Sequence, residues 1–130
     1  MTQLTLTKLP HKLAIARLAA DAPIPDWALK SDFFSITRTE DELSIVCHQS
    51  DVPTDVHFQG DWFGLKVAGP LDFALTGILS GLAAPLAAAS IPIFAISTYD
   101  TDYLLIPETE NERATSVLRT AGHDVRAAGN

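Results

Sequence analysis

Two short segments of this chain collect groups that can bind a small zwitterion. One is Asp72-Phe73-Ala74-Leu75-Thr76-Gly77, and the other is Ser97-Thr98-Tyr99-Asp100-Thr101-Asp102. Both lie next to strongly apolar elements within the run from Gly69 to Pro107. A helix entry at Thr76, Gly77 and Ile78 presents backbone N–H groups that the helix itself leaves unpaired, and an anion such as a carboxylate suits them. Asp100 and Asp102 can meet an amine or a cationic side chain. Ser97 and Thr98 add neutral hydrogen-bonding groups. The same residues also have a plainer reading, in which Asp100 bonds its own turn and Gly77 packs at an ordinary helix entry. Tyr99 and Tyr103 suit either the wall of a pocket or core packing.

Other chemistry is poorly supported. The four histidines, His11, His48, His57 and His123, show no HxxxH or HxH spacing, so no metal site is expected. Cys47 sits in a β pattern and reads as a small buried hydrophobe. No catalytic residue is expected, because there is no GxSxG elbow, P-loop or GxGxxG run, and no cofactor is indicated. The run Glu40-Asp41-Glu42 reads as a solvent-facing link.

The whole chain narrows the choice further. Its 130 residues suffice for one domain or two very small ones. The formal net charge of −7 and the scatter of its nine Lys and Arg residues argue against nucleic acid or an anionic membrane as partner. A single cysteine rules out an internal disulfide and fits a reducing compartment. The start MTQLTLTKLPHK lacks the pattern of a secretory signal, and no apolar run is long enough to span a membrane. A cytoplasmic protein is expected.

Hydrophobic periodicity supplies the scaffold. Leu4 to Thr7 alternate as a first strand ending at Pro10, and Lys12 to Leu18 alternate as a second. Asp21 to Lys30, broken by Pro23 and Pro25, is irregular with one helical turn at Asp26–Leu29. Phe33–Thr37 and Leu43–His48 form a hairpin. Val52 to Gly60 reads as a connection, with a domain boundary near Asp61. Trp62–Ala68 follows as a strand. Leu75, Ile78, Leu79, Leu82, Leu86 and Ala89 then fall at helical spacing, with Asp72 or Thr76 as the cap and a kink at Pro85. Ile91–Thr98 and Asp102–Ile106 are strands around an Asp100-Thr101 turn. Thr109 and Glu112 form a capping-box pattern for a helix carrying Ala114, Val117, Leu118 and Ala121, stopped by Gly122. His123–Arg126 closes the series as a strand. The order β-α-β-β-α-β from residue 61 is ferredoxin-like, an α+β fold with an antiparallel sheet. Residues 1–60 read as a reduced version of that unit, and residues 61–130 as the full one.

The second half resembles an ACT domain, a small amino-acid-binding regulatory module. Thr76-Gly77-Ile78-Leu79 stands where that family usually has Pro-Gly-Leu-Leu, and Ser90-Ile91-Pro92-Ile93 where it has Gly-Ile-Asn-Ile. Ser35 to Cys47, Gly69-Pro70-Leu71-Asp72-Phe73 and Ile93 to Tyr103 extend the resemblance to nearly the whole chain. Together they look like small bacterial tandem-ACT proteins, similar to the ACT modules of aspartate kinases and to the arginine sensors called CASTOR. The resemblance implies two ACT-like units and a non-catalytic regulatory protein that binds a free amino acid at an ACT-unit interface. The rival expectation is an ACT fold without ligand that serves only as an interaction module. Exposed sheet edges and the alanine-rich helix suggest a homodimer or higher even oligomer.

Overall fold

A computed structural model describes residues 3–71 and 76–128. The chain divides into two compact units, Met1–Pro10 with Phe63–Asn130, and His11–Trp62. The strands are β1 (Thr5–Lys8), β2 (Leu13–Leu18), β3 (Ser35–Arg38), β4 (Leu43–His48), β5 (Phe58–Val67), β6 (Phe94–Ser97), β7 (Asp102–Pro107) and β8 (Asp124–Arg126). The helices are α1 (Ile78–Ala88) and α2 (Asn111–Thr120). The fold is α+β, as its strand and helix periodicities require.

The unit His11–Trp62 is a ferredoxin-like motif in which short 3₁₀ turns replace the helices. Its sheet runs β3, β4, β2 and the first half of β5, all antiparallel. Pro23 and Pro25 prevent a full helix before β3. A 3₁₀ turn at Asp26–Leu29 takes its place and buries Ala28. A second 3₁₀ turn, Gln49–Asp51, stands between β4 and β5. So little helix can cover only a thin layer, and the core is correspondingly small-residued: Ala14, Ala16, Ala28, Leu43, Ile45, Cys47 and Val52. Arg38, at the end of β3, donates from its guanidinium to the carbonyls of Ala20 and Ala22 and so holds the irregular segment down.

The stretch Val52 to Gly60 differs from the expected connection, because its last part is strand. Gln59, Gly60 and Asp61 look like loop residues, but pairing of Phe58 and Gln59 with Ala16 and Ile15 extends β5 to ten residues. The register shifts between Leu13 and Ile15, and Asp61 adopts φ 61° beside that irregularity.

The other unit contains β5, α1, β6, β7, α2 and β8 in the expected order. β1 belongs to this sheet, not to the first unit as the sequence order suggests. It lies between β5, to which it is antiparallel, and β8, to which it is parallel. β7 joins β5 to β6 on the other side. Leu4, just before β1, and Leu6 within it meet Phe63, Leu65, Val67, Leu82, Leu86, Leu104, Ile106, Ala114, Leu118 and Val125 in one core. A fully buried leucine such as Leu82 or Leu86 contributes about 1.5–3 kcal/mol relative to an exposed one.

Several helix boundaries differ from expectation. α1 begins at Ile78, and its N-cap is Gly77 at φ 78° with no side-chain cap, so Thr76 does not cap it. Asp72, Phe73, Ala74 and Leu75 lie outside the described residues. The Thr109–Glu112 capping box does not form. A 3₁₀ turn, Glu108–Glu110, leads directly into α2 and tightens the backbone there instead. β6 starts three residues later than expected, since Pro92 cannot donate to a ladder and the Ile91 amide is committed to the Leu86 carbonyl at 2.9 Å. Gly122 does end α2: its φ is 99°, and Gly122 N–H and His123 N–H donate to Arg119 and Leu118.

Candidate functional site

The chain that follows β5, just before the first of the two segments singled out by composition, is bonded to the second. Val67 ends β5, and its carbonyl accepts a 2.7 Å bond from Thr101 Oγ1. Leu71 N–H donates to the Asp100 carbonyl at 2.6 Å. Between them, a Cβ on Gly69 would lie 3.0 Å from the Asp100 carbonyl oxygen and 3.1 Å from Thr101 Cβ, so glycine permits the close approach. The Gly69-Pro70 peptide is cis. The near end of the loop leading to α1 is therefore fastened to the β6–β7 turn.

That turn is built from its own side chains. Its connection is Thr98–Thr101, two residues longer than the expected Asp100-Thr101, with Tyr99 and Asp100 at the tip. Thr98 N–H donates to the Thr101 carbonyl at 2.8 Å, and Thr98 Oγ1 accepts from Thr101 N–H at 3.3 Å. Ser97 Oγ donates to Asp102 Oδ1 at 2.6 Å across the hairpin, where the two residues pair in register. Asp100 is exposed and Asp102 half-buried. Tyr99 is 80% exposed, which excludes core packing for it.

At the helix entry, Thr76 and Gly77 are exposed, while Ile78 packs against the core. The first helical bond runs from Gly81 N–H to the Gly77 carbonyl, and Ser80 Oγ donates to that same carbonyl at 3.2 Å. Among the described residues no side chain caps Gly77, and helix N-termini in general present first-turn N–H groups that suit a ligand oxygen. The structure thus groups Ser97, Thr98, Asp100 and Asp102 on one hairpin. It places Thr76, Gly77 and Ile78 at the far end of the loop whose start is bonded to that hairpin. Thr101 is the site-shaping residue that sequence reasoning missed. Its hydroxyl is buried and structural, and nothing in a run of small polar residues distinguishes it from its neighbours.

Cys47 is fully buried in β4, and desolvation, with the Asp51 carboxylate nearby, pushes its thiol up to about 11. A protonated, inaccessible thiol is a poor nucleophile. Folding brings the rings of His11 and His48 to 4.4 Å and His48 Nε2 to 3.1 Å from Asp32 Oδ1, though these residues are distant in sequence. No group of three metal-ligating side chains converges among the described residues. Among the described residues no helix is long and apolar enough to cross a membrane.

The β-α-β-β-α-β order with an added strand is the architecture of an ACT-like fold. An ACT-domain family model matches residues 57–120, and a model for an N-terminal domain matches residues 11–55. Over residues 57–120, just under half of its length, the chain is therefore similar to the ACT-domain family. An Agrobacterium tumefaciens protein known from its X-ray structure is 39% identical, with a TM-score of 0.94, covering 100% of this chain and 97% of that one. The cytosolic arginine sensor for mTORC1 subunit 1 of Rattus norvegicus is 32% identical over 67% of this chain and 29% of its own length. The Homo sapiens counterpart is 36% identical over 58% of this chain and 26% of its own length. The chain therefore spans under a third of these sensors. The regulatory subunit of aspartate kinase from Thermus flavus shares the fold, with a TM-score of 0.63 at 12% identity, covering 92% of this chain and 99% of that one.

Proposed function

We propose that this protein is a non-catalytic, cytoplasmic regulator that binds a free amino acid at the α1 entry and the β6–β7 hairpin. The ligand carboxylate lies on the N–H groups near Thr76, Gly77 and Ile78. The α-amine or a cationic side chain meets Asp100 or Asp102, with Ser97 and Thr98 supplying neutral bonds. The observation that supports this reading is the 2.6 Å bond from Leu71 N–H, at the start of the loop before α1, to the Asp100 carbonyl of the hairpin. It ties the start of the loop that leads to the helix entry to the hairpin that carries the acids. The rat and human relatives are named as arginine sensors, which supports an amino acid as the class to test first. We further propose that the protein acts as a homodimer or higher even oligomer, whose association with a regulated partner changes on ligand binding.

The test begins with thermal shifts against the common amino acids, because a ligand that binds only the native state raises its stability. Calorimetry on the amino acid so found is then repeated with Asp100→Asn and Asp102→Asn. A charge-assisted bond is worth about 1.5–3 kcal/mol, so at least one variant should bind about tenfold more weakly or worse. Unchanged affinity in both folded variants would remove the acids from the site. The absence of any saturable stabilisation in the wild type would favour an interaction module without ligand.

A further inference from the structure

A groove of about 350 Å³ runs along α2, lined by Lys8, Glu112, Thr115, Ser116, Arg119 and Thr120. It shares no residue with the α1 entry or the β6–β7 hairpin. Glu112, Thr115, Ser116 and Arg119 recur at intervals of three and four and so occupy one flank of the helix. Ala114, Val117 and Leu118 occupy another and face the core. Lys8 continues the buried side of β1 after Leu4 and Leu6, an unusual place for a lysine. Its ammonium lies 5.8 Å from the centre of the Phe63 ring and donates to Asn111 Oδ1 at 2.7 Å. Asn111 is oriented in turn by its Nδ2, 3.4 Å from Glu108 Oε1. Across the groove, Arg119 Nη2 donates to the Val125 carbonyl at 2.7 Å.

Both cations are therefore fixed by neutral acceptors. This matters in a chain with 16 acidic residues against nine Lys and Arg. Lys12, Arg113 and Arg126 each reach a carboxylate, whereas no ion pair among the described residues involves Lys8 or Arg119. An ammonium has three N–H donors and a guanidinium five, so each keeps donors beyond the one its anchor consumes. The hydroxyls of Ser116 and Thr120 add two more on the wall. We propose that this groove binds a small oxyanion, a carboxylate or phosphate group, between the Lys8 ammonium and the Arg119 guanidinium. Glu112 on the same flank disfavours ligands with a second negative charge nearby.

The experiment follows the amide chemical shifts of Lys8 and residues 112–120 during separate titrations with sodium phosphate and sodium acetate. Sodium chloride at matched ionic strength is the control. Wild type should show saturable shifts confined to the groove with at least one oxyanion. Saturation by phosphate alone identifies a phosphate head group, and by acetate alone a carboxylate. Lys8→Met and Arg119→Gln should each weaken binding about tenfold or more, equivalent to about 1.4 kcal/mol. Lys8→Arg should retain it, and Ser97→Ala should leave it unchanged. Shifts that grow linearly with all three salts overturn the proposal. So does saturation that survives both Lys8→Met and Arg119→Gln.

Discussion

The Nε2 atom of His123 lies 3.3 Å from the carbonyl oxygen of Gly81, the acceptor that Pro85 deprives of its helical donor. On the other side of the ring, Nδ1 accepts from Leu4 N–H at 3.1 Å. The two bonds together require the neutral tautomer with its proton on Nε2. His123 is 4% exposed and stands at the turn between α2 and β8, so one imidazole joins β1, α1 and that turn. Replacing it by Leu keeps the apolar volume but orphans two backbone groups. Each unsatisfied group costs about 1–3 kcal/mol, so His123→Leu should lower unfolding stability by at least ~2 kcal/mol in a urea titration.

The dependence on Pro85 can be isolated by a double-mutant cycle. In Pro85→Ala the new N–H can donate to the Gly81 carbonyl, and that carbonyl no longer needs His123. His123→Leu should then cost less in the Pro85→Ala background than in wild type, by about 0.5–1.5 kcal/mol. Equal costs in the two backgrounds would show that the imidazole contributes only through Leu4 and packing.

This coupling marks the limit of what could be read from the chain. Period-two and helical patterns placed the β6–β7 hairpin, α1, α2 and the Gly122 stop, because each depends on local sequence. The loss of a bond at Gly81 was legible from Pro85, but not the residue that replaces it, 42 positions away. β1 was recognisable as a strand. Its partners were not, since alternation sets which side is buried and says nothing about which edge the strand joins. The acids and hydroxyls of the candidate site could be named from composition. The bonds from Thr101 to Val67 and from Leu71 to Asp100, which fasten the start of the loop before α1 to the hairpin, arise only from tertiary approach.

The end of α1 offers a stabilising substitution. Ser90 occupies the left-handed region at φ 60°, where Ser90 N–H and Ile91 N–H donate to the Ala87 and Leu86 carbonyls. A side chain in that conformation costs roughly 1–2 kcal/mol, part of which glycine returns as unfolded-chain entropy. Ser90→Gly should raise stability by about 0.5–1 kcal/mol. The corresponding change at the end of α2, Gly122→Ala, should lower it by about 1 kcal/mol, since φ there is 99°. Thermal denaturation of both variants checks the opposite signs.

Cys47 makes stability depend on alkaline pH. Its thiol titrates at about 11 in the fold against an ordinary value of 9.0, so between those values the unfolded chain carries fewer protons than the native one. Stability should then fall as pH rises through that window, with a limiting slope of about 1.4 kcal/mol per pH unit. Well below that window this group should contribute no slope. Cys47→Ala should lose some packing energy at every pH yet remove this component of the alkaline decline. Parallel curves for the two proteins from pH 9.0 to about 11 would contradict the assignment.

Gly69 tests whether the fastening of loop to hairpin matters for binding. Adding a methyl there places carbon 3.0 Å from the Asp100 carbonyl oxygen and 3.1 Å from Thr101 Cβ, against backbone and a buried side chain that have little room to move. The expected relief is separation of the loop from the turn, which breaks the 2.6 Å bond from Leu71 N–H. Gly69→Ala should cost about 1–3 kcal/mol of stability through overpacking. It should also weaken the amino acid identified by thermal shift, although it removes no group that touches the ligand. Thr101→Val should act in the same direction by depriving the Val67 carbonyl of its hydroxyl donor, at a cost of about 1–3 kcal/mol. Thr101→Ser retains the donor and should bind nearly as wild type. Calorimetry separates affinity from stability when it is run well below each variant's unfolding temperature. If Gly69→Ala and Thr101→Val are destabilised but bind with wild-type affinity, the two segments do not need their connection, and the site must be sought on one of them alone.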